Sequence, residues 1–586
     1  MKIKSIIFSF CLLLLPCLNV IAQDDVIKAM REEMSRSMDK LKLESLQKPY
    51  YIEYRITSHD SYSFMASLGS LTESKTQRNT ELTVIVRVGS YKFDNGNFID
   101  FSRFFGGGDD EEEYSSRTLP IDLDARELRR QLWLSTDAAY KQAAEQLSKK
   151  EAALKNKVRQ DTTHDFLYVE PVKFYDKTDF PKIDMNKYEL LVKKLSGIFS
   201  QYPDIQVSNI GFEYNPEINY FVNSEGREFI KTESFCGLEA VAITQNPDGM
   251  QFIDFFTSMG MTPANIASED SLMNGVKNLA DNLNNLRIAK TLEEPYSGPV
   301  LFSPFAAAQL FSQVFAPNLV AQRQPVSETS FGSDNEKSMA FQSKIGGRVL
   351  PEFMNVTADP TLDKFDSTSL LGYYKTDDDG QNAEKVNLVV NGFLKDLLSS
   401  RVPTRRIRHS NGHKRGGSPM LSNIFISSDE EHSKPDQELK ERLLELCRDR
   451  ELPFAVIVNK IVDMNILFTT VYRLTGSSLS GAKGGSSKFI IEALKVYPDG
   501  REELIRGVEA KGISVATFKD ILLTGQKPYL LNYLAPSVVS SFMTGGKQFV
   551  PTSMAVPSLL FEDCEIKPLE EDFPKPPLLL NPISNK

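Results

Sequence analysis

Residues 298–322 read GPVLFSPFAAAQLFSQVFAPNLVAQ, and the order of residue types predicts a strand running directly into a helix. Val300 to Phe302 form a short apolar run, and Ser303-Pro304 supplies a helix start, because proline is tolerated where the first helical N–H has no partner. Ala306 to Ala308 favour the helix that follows. Ala308, Leu310, Phe311, Val314 and Phe315 then give it a broad apolar stripe, as a core helix has. Inside that helix Pro317 would press its ring on the carbonyl of Gln313, so the helix is predicted to stop by Ala316.

Outward from this stretch the chain changes character. On the N-terminal side, residues 25–42 repeat Val26, Met30, Met34 and Met38 as an amphipathic helix, and 124–159 and 185–200 carry further helical patterns. Between them 50–57 and 80–93 alternate as antiparallel strands, with Ser58-His59-Asp60-Ser61 and Gly69-Ser70 marking a loop. Strands are predicted at 205–214, 217–223 and 227–244, with a turn at Asn223 to Gly226, and a helix at 264–290 leads back to the opening stretch. On the C-terminal side short strands alternate with Gly and Pro turns, including a hairpin of 465–474 with 488–497 and the tight turn Tyr497 to Arg501. A chain of 586 residues holds two or more domains. The predicted class is α+β: 23–297 as a domain of helices with antiparallel strands, 298–570 as a β-rich, antiparallel, barrel-like domain, and 571–586 as a loose Pro-rich tail.

Residues 1–22 place Lys2 and Lys4 before the apolar run Ile6 to Leu15 and end in Val20-Ile21-Ala22. This is the pattern of a cleaved signal peptide, too short for a membrane span, and it predicts export to a periplasmic or extracellular space. A lipoprotein is less favoured, since Cys17 follows Leu-Leu-Pro. No later segment reads as an integral membrane span. The net charge is −10, and removing 1–22 takes away two lysines and no acids. Such an acidic chain without a basic tract is a poor nucleic-acid binder. The cysteines beyond the leader, Cys236, Cys447 and Cys564, show neither disulfide nor CxxC spacing.

Several short segments carry a resemblance. Asn223-Ser224-Glu225-Gly226, Ala358-Asp359-Pro360-Thr361, Asp378-Asp379-Gly380, Asn391-Gly392-Phe393-Leu394, and Ser410 to Arg415 followed by Pro419 and Ser422-Asn423 are similar, in order and spacing, to landmarks of the TldD/PmbA family. That family includes zinc metallopeptidases and proteins named modulators of DNA gyrase, and this chain resembles its PmbA/TldE-like members. Active members place HExxxH on the strand-helix unit that 298–322 resembles. There two histidines bind zinc and the glutamate activates water. Laid onto this chain, the first histidine falls on Ser312, the glutamate on Gln313 and the second histidine on Pro317. A hydroxyl, an amide and a proline ring cannot do that work. The family's third ligand, a cysteine ahead of a Val-Pro, falls on Met543 or on Gly545, before Val550-Pro551.

The resemblance therefore implies a catalytically degenerate chain with no metal, catalytic or cofactor-binding residue of its own. Zinc is expected only in an active TldD-like paralogue, which would be this chain's partner, unless the chain pairs with itself. A peptide substrate would be held in a shared cavity by strand addition. The rival is a residual hydrolase, with a metal bound elsewhere or with Ser480 and Lys483, which satisfy SxxK. The only SDN, Ser333 to Asn335, precedes that SxxK instead of following it, and KTG is absent. The loop 476–487 also lacks the Gly-Lys-Ser/Thr of a phosphate loop. Of the histidines His59, His164, His409, His413 and His432, only His409 and His413 are close, among arginines that would repel a metal. The acidic stretch 106–113 reads as a solvated loop, its carboxylates consecutive where an EF-hand spaces them.

Overall fold

The structure, a computed structural model, describes residues 25–43, 46–99, 116–120, 124–155, 162–327, 340–463, 489–537 and 546–570, with single positions in the tail. The predicted signal peptide, the acidic stretch 106–113 and the Gly-rich loop 476–487, with Ser480 and Lys483, lie outside these residues, as does the strand predicted at 465–474.

The N-terminal domain is built on long antiparallel strands in the order Ser70–Ser90, Pro49–Ser67, Ile205–Asn223, Glu228–Gln245, Gln251–Gly260. Side chains alternate across a strand, so even-numbered and odd-numbered residues point to opposite faces. The even set, among them Ile52, Tyr54, Phe64, Phe212, Tyr220 and Leu238, is buried with the helices Asp25–Lys40, Ala125–Leu154, Met185–Ser196 and Glu269–Ile288. Asp124, Asp184 and Ser268 cap three of these helices by accepting backbone N–H bonds from their first turns. With the helices on one face, the odd set is left to meet the C-terminal domain.

Two strands are longer than their patterns predict. Ser58 to Ser61 do not form a loop; Pro49–Ser67 runs straight through them, and the chain reverses at Leu68-Gly69, both at positive φ. Hydrophobic alternation is missing there because residues 58–61 are only half-buried, and polar cross-strand pairs such as Asp60 with Arg78, 2.6 Å apart, replace apolar ones. Likewise Ile205–Asn223 is one strand across Pro216. Its ladder with Pro49–Ser67 is interrupted between Glu217 and Tyr214, which spares the missing proline N–H.

In the C-terminal domain, five strands close into a barrel as predicted. Tyr296–Phe302 lies between Ala455–Ile461 and Leu559–Pro568. Phe489–Val496 pairs with Ala455–Ile461 and Val508–Lys511, and the latter returns to Leu559–Pro568. A second sheet runs Phe393–Leu394, Val386–Val390, Met354–Ala358, Asn423–Ser428, Phe549–Val556, Tyr529–Pro536. Among these strands the pairing is antiparallel except where Val300 pairs with Val456 and Asn423 with Ser553. One apolar core joins barrel and sheet, and it includes Phe302, Phe311, Phe315, Phe341, Phe518 and Phe561. The tail is not wholly loose: Phe573 packs on the N-terminal core and the Asn581 amide donates to the Pro203 carbonyl at 2.7 Å.

Candidate functional site

The strand-helix unit forms as its sequence predicts, with one difference at its end. Pro304–Leu310 is α-helical, Phe311–Phe315 widens into a π turn and Ala316–Leu319 continues as a 3₁₀ turn. The helical path therefore crosses Pro317 and does not stop at Ala316. Within the wide turn the Ala316 N–H donates to the Phe311 carbonyl, five residues back, and Pro317 enters the 3₁₀ turn at its start, where its missing N–H does little harm.

Ser312, Gln313 and Pro317 do not form a donor set. The Ser312 hydroxyl is buried and donates to the Gln309 carbonyl at 2.9 Å. The Gln313 amide donates to the Gln309 carbonyl at 3.1 Å and to the Val462 carbonyl at 2.9 Å, tying the helix to the end of Ala455–Ile461. Pro317 has no donor atom. Zinc does not fit this arrangement, and among the described residues no group of three or more His, Cys, Asp or Glu side chains could hold a metal. Met543 and Gly545, the positions matching a third ligand, lie outside the described residues.

One turn earlier, the fully buried Gln309 accepts from the Ile461 N–H at 3.0 Å, while its amide nitrogen has no hydrogen-bond partner among the described residues. Gln309 lines a small pocket of about 30 Å³ with Asp463, Glu239 and Tyr533, whose buried hydroxyl is likewise unpartnered. Through Glu239, Leu534 and Phe549 this pocket adjoins a cavity of about 500 Å³ between the two domains. Odd-numbered residues of the N-terminal sheet floor that cavity, and Leu371, Tyr373, Asp378, Arg415 and the stretch Lys547 to Pro551 roof it. Four glutamates, Glu213, Glu217, Glu233 and Glu239, come from the floor.

At one end of the cavity the family-like segments meet. Asn223 turns the hairpin by accepting from the Glu225 and Arg227 N–H groups, at 3.1 and 3.0 Å. Arg227 then donates across the domains to the Asp379 carbonyl at 2.6 Å. Asp378 accepts from Lys231 at 2.8 Å and from the Gly416 N–H at 2.7 Å, and Lys414 reaches Asp379 at 2.8 Å. Burial alone would raise the Asp378 carboxyl; Lys231 and Arg55 outweigh it and hold the group well below the usual carboxylate range. For Asp377 burial wins: with the Asp379 charge beside it, the carboxyl is pushed up to about 7, against the N–H groups of Gln381 and Lys414 that it accepts.

The two neighbouring histidines point to different places. His413 is buried against Asn411 and Ser422, whereas His409 is exposed and sits 3.0 Å from Asp396. Sequence reading placed the landmarks but missed the cavity floor of Asn209, Gly211, Glu213, Gly237 and Glu239. The available signal was carboxylates at odd positions in strands whose even positions are apolar.

Residues 295–568 match the family model described as the PmbA/TldA metallopeptidase C-terminal domain, which sets the class of this protein as a metallopeptidase-like scaffold. Over that stretch the chain belongs to the TldD/PmbA family. Solved structures share the fold across nearly their whole length. A proposed modulator of a DNA gyrase from Thermotoga maritima superposes with a TM-score of 0.58 at 13% identity, covering 92% of this chain and 99% of its own. TldE from Thermococcus kodakarensis gives 0.56 at 12% identity, with the same coverage of 92% and 99%. A proposed modulator of DNA gyrase from Bacteroides thetaiotaomicron gives 0.56 at 11%, again over 92% and 99%. Curated protein sequences contain no significant match to the chain. No helix among the described residues is long and apolar enough to cross a membrane.

Proposed function

We propose that this chain is an exported, non-catalytic subunit of a peptide-processing assembly, which pairs with a zinc-bearing TldD-like paralogue. The observation that carries the reading is the pair of side chains where a zinc ligand and a general base would stand: Ser312 and Gln313 both turn onto backbone carbonyls of their own domain. Side chains so committed hold the fold and leave nothing to bind a metal or move a proton. The likeness of fold to TldE supports the same reading.

The cavity between the domains is the place for the peptide. Two strands border its small side pocket, Gln251–Gly260 and Tyr529–Pro536, and each is paired on one side only among the described residues. An extended peptide laid along either edge would gain main-chain hydrogen bonds with little dependence on its sequence. The acidic charge of the chain disfavours a direct nucleic-acid role.

Affinity purification from the native cell tests the role: a paralogue containing HExxxH should co-elute, with zinc in the complex and none in this chain purified alone. Stoichiometric, tightly held zinc in the isolated chain, or peptidase activity without a partner, would replace this reading with that of a residual hydrolase.

A further inference from the structure

The side pocket next to the cavity contains two buried hydrogen-bond donors that the fold leaves unused. Gln309 is fully buried, and its side-chain oxygen is fixed by the Ile461 N–H, which can only donate. The other end of that amide is therefore its NH2 group, itself a donor only, and it has no partner among the described residues. Tyr533 is 4% exposed, and its hydroxyl has no partner among them either. Burial and the nearby Asp463 charge keep that phenol protonated, which makes it a second donor. A buried donor with nothing to donate to is costly, so two in one pocket call for an acceptor. The walls restrict which acceptor can enter. Phe255, Met259, Phe305, Leu531 and Leu534 make most of them apolar, and no basic residue is among the described residues that line the pocket. Asp463 and Glu239 also stand in the wall, each engaged in an interaction of its own. An anion would thus be buried without a cation to pair with and would meet two carboxyl groups. One water takes about 10–15 Å³, so a volume of about 30 Å³ admits a group of roughly two or three heavy atoms and excludes a ring.

We infer that this pocket is a subsite for an uncharged carboxamide side chain, glutamine or asparagine, of a peptide lying in the cavity. The inference rests on the peptide reading above and adds a specificity to it. A peptide added to the edge of Gln251–Gly260 or of Tyr529–Pro536 runs beside the pocket, which both strands border. A carboxamide oxygen has two lone pairs, and in so small a space one can accept from the Gln309 amide and the other from the Tyr533 hydroxyl. Norleucine, of similar length and apolar, would leave both donors unused. Glutamate would bring an unpaired charge, and lysine would set a donor against the Gln309 amide, so the same groups that select a carboxamide reject both.

Binding of capped tetrapeptides to the full chain tests this: acetyl-Ala-Gln-Ala-Ala-N-methylamide and its counterparts with norleucine, glutamate or lysine in place of glutamine. The N-methylamide cap keeps a second primary carboxamide out of the probe. Calorimetry should show the glutamine peptide bound roughly tenfold or more tightly than each of the others. Tyr533→Phe removes only the unpartnered hydroxyl, so the fold should be kept while the preference for glutamine over norleucine drops roughly fivefold. Gln309→Met should remove most of what remains; if that variant does not fold, because the Ile461 N–H is left unpaired, Tyr533→Phe decides alone. N-acetyl-glutamine N-methylamide separates the two readings, because it can occupy the subsite without strand addition. If it binds in preference to N-acetyl-norleucine N-methylamide while no tetrapeptide binds, the subsite stands and the peptide reading falls. Equal affinity for the glutamine and norleucine tetrapeptides means that the pocket takes only water, which overturns the subsite and leaves the peptide reading. Glutamate or lysine bound as tightly as glutamine, a preference unchanged in Tyr533→Phe, or no binding by any of the probes also overturns it.

Discussion

Lys231, on the N-terminal sheet, places its ammonium 2.8 Å from the carboxylate of Asp378 in the C-terminal domain, and both side chains are nearly buried. Removing one partner leaves a buried charge facing the other domain. Lys231→Met and Asp378→Asn are each expected to lower unfolding free energy by about 3–5 kcal/mol. The double variant should lose less than the sum, with a coupling of roughly 1–3 kcal/mol in a denaturant-based mutant cycle. Additive losses would show that the pair does not hold the domains together. The folded Asp378 carboxyl lies below its ordinary value, so its contribution is present in full above about pH 4 and disappears on further acidification.

His413 sets a second pH dependence. Burial pushes its imidazole down to about 4, with the Arg415 charge adding to the shift and the Asn411 carbonyl opposing it. Below the ordinary value near pH 6.5 the unfolded chain gains a proton that the native chain refuses. Stability should therefore fall as pH drops from about 6.5 to 4, by about 3 kcal/mol in all for this group. Urea midpoints at pH 7 and pH 4.5 check this. His413→Gln should show a smaller difference between the two pH values than the unaltered chain, and an identical difference would assign the slope to other groups.

Phe315 anchors the wide turn. It is fully buried and packs on Phe311, Phe341 and Phe518, with ring centroids 4.6, 4.9 and 5.2 Å away. Phe315→Ala is expected to lower stability by about 3–5 kcal/mol through the cavity it leaves. A loss under about 1 kcal/mol in chemical denaturation would mean that the turn can collapse onto the gap.

Restoring His, Glu and His at 312, 313 and 317 should give neither peptidase activity nor stoichiometric zinc, because Met543 or Gly545 stands at the third ligand position. Gln313→Glu alone should destabilise by about 1–3 kcal/mol, since a carboxylate would face the carbonyls of Gln309 and Val462 in place of a donor. Zinc-dependent cleavage by the triple variant would show that a ligand comes from somewhere else.

Sequence legibility followed burial. The alternation of Ile52, Tyr54 and Ile56, or of Phe212 and Tyr214, is written by a covered face, and strands with such patterns were visible. Ser58 to Ser61 were not, because cross-strand ion pairs and solvent stabilise that part of the hairpin and leave no hydrophobic period. The cavity was hidden for a further reason. Glu213 and Glu239 alternate correctly for an outward-facing row, and nothing in one strand says that a second domain roofs the polar face. Gly211 and Gly237 read as weak strand residues when they are in fact the floor. Single-residue landmarks such as Asn223 and Asp378 were readable as types, while their meeting depends on contacts between residues more than a hundred positions apart.

The π turn at Phe311–Phe315 bears on angular spacing. In an α-helix, side chains five residues apart point about 140° away from each other, too far to share one ion. A turn that closes from Ala316 back to Phe311 takes up one more residue per revolution, and so swings positions 312 and 317 toward a common direction. Residue identity and backbone path thus both depart from a plain α-helix here: Ser312, Gln313 and Pro317 fall across the junction where the wide turn gives way to the tight one.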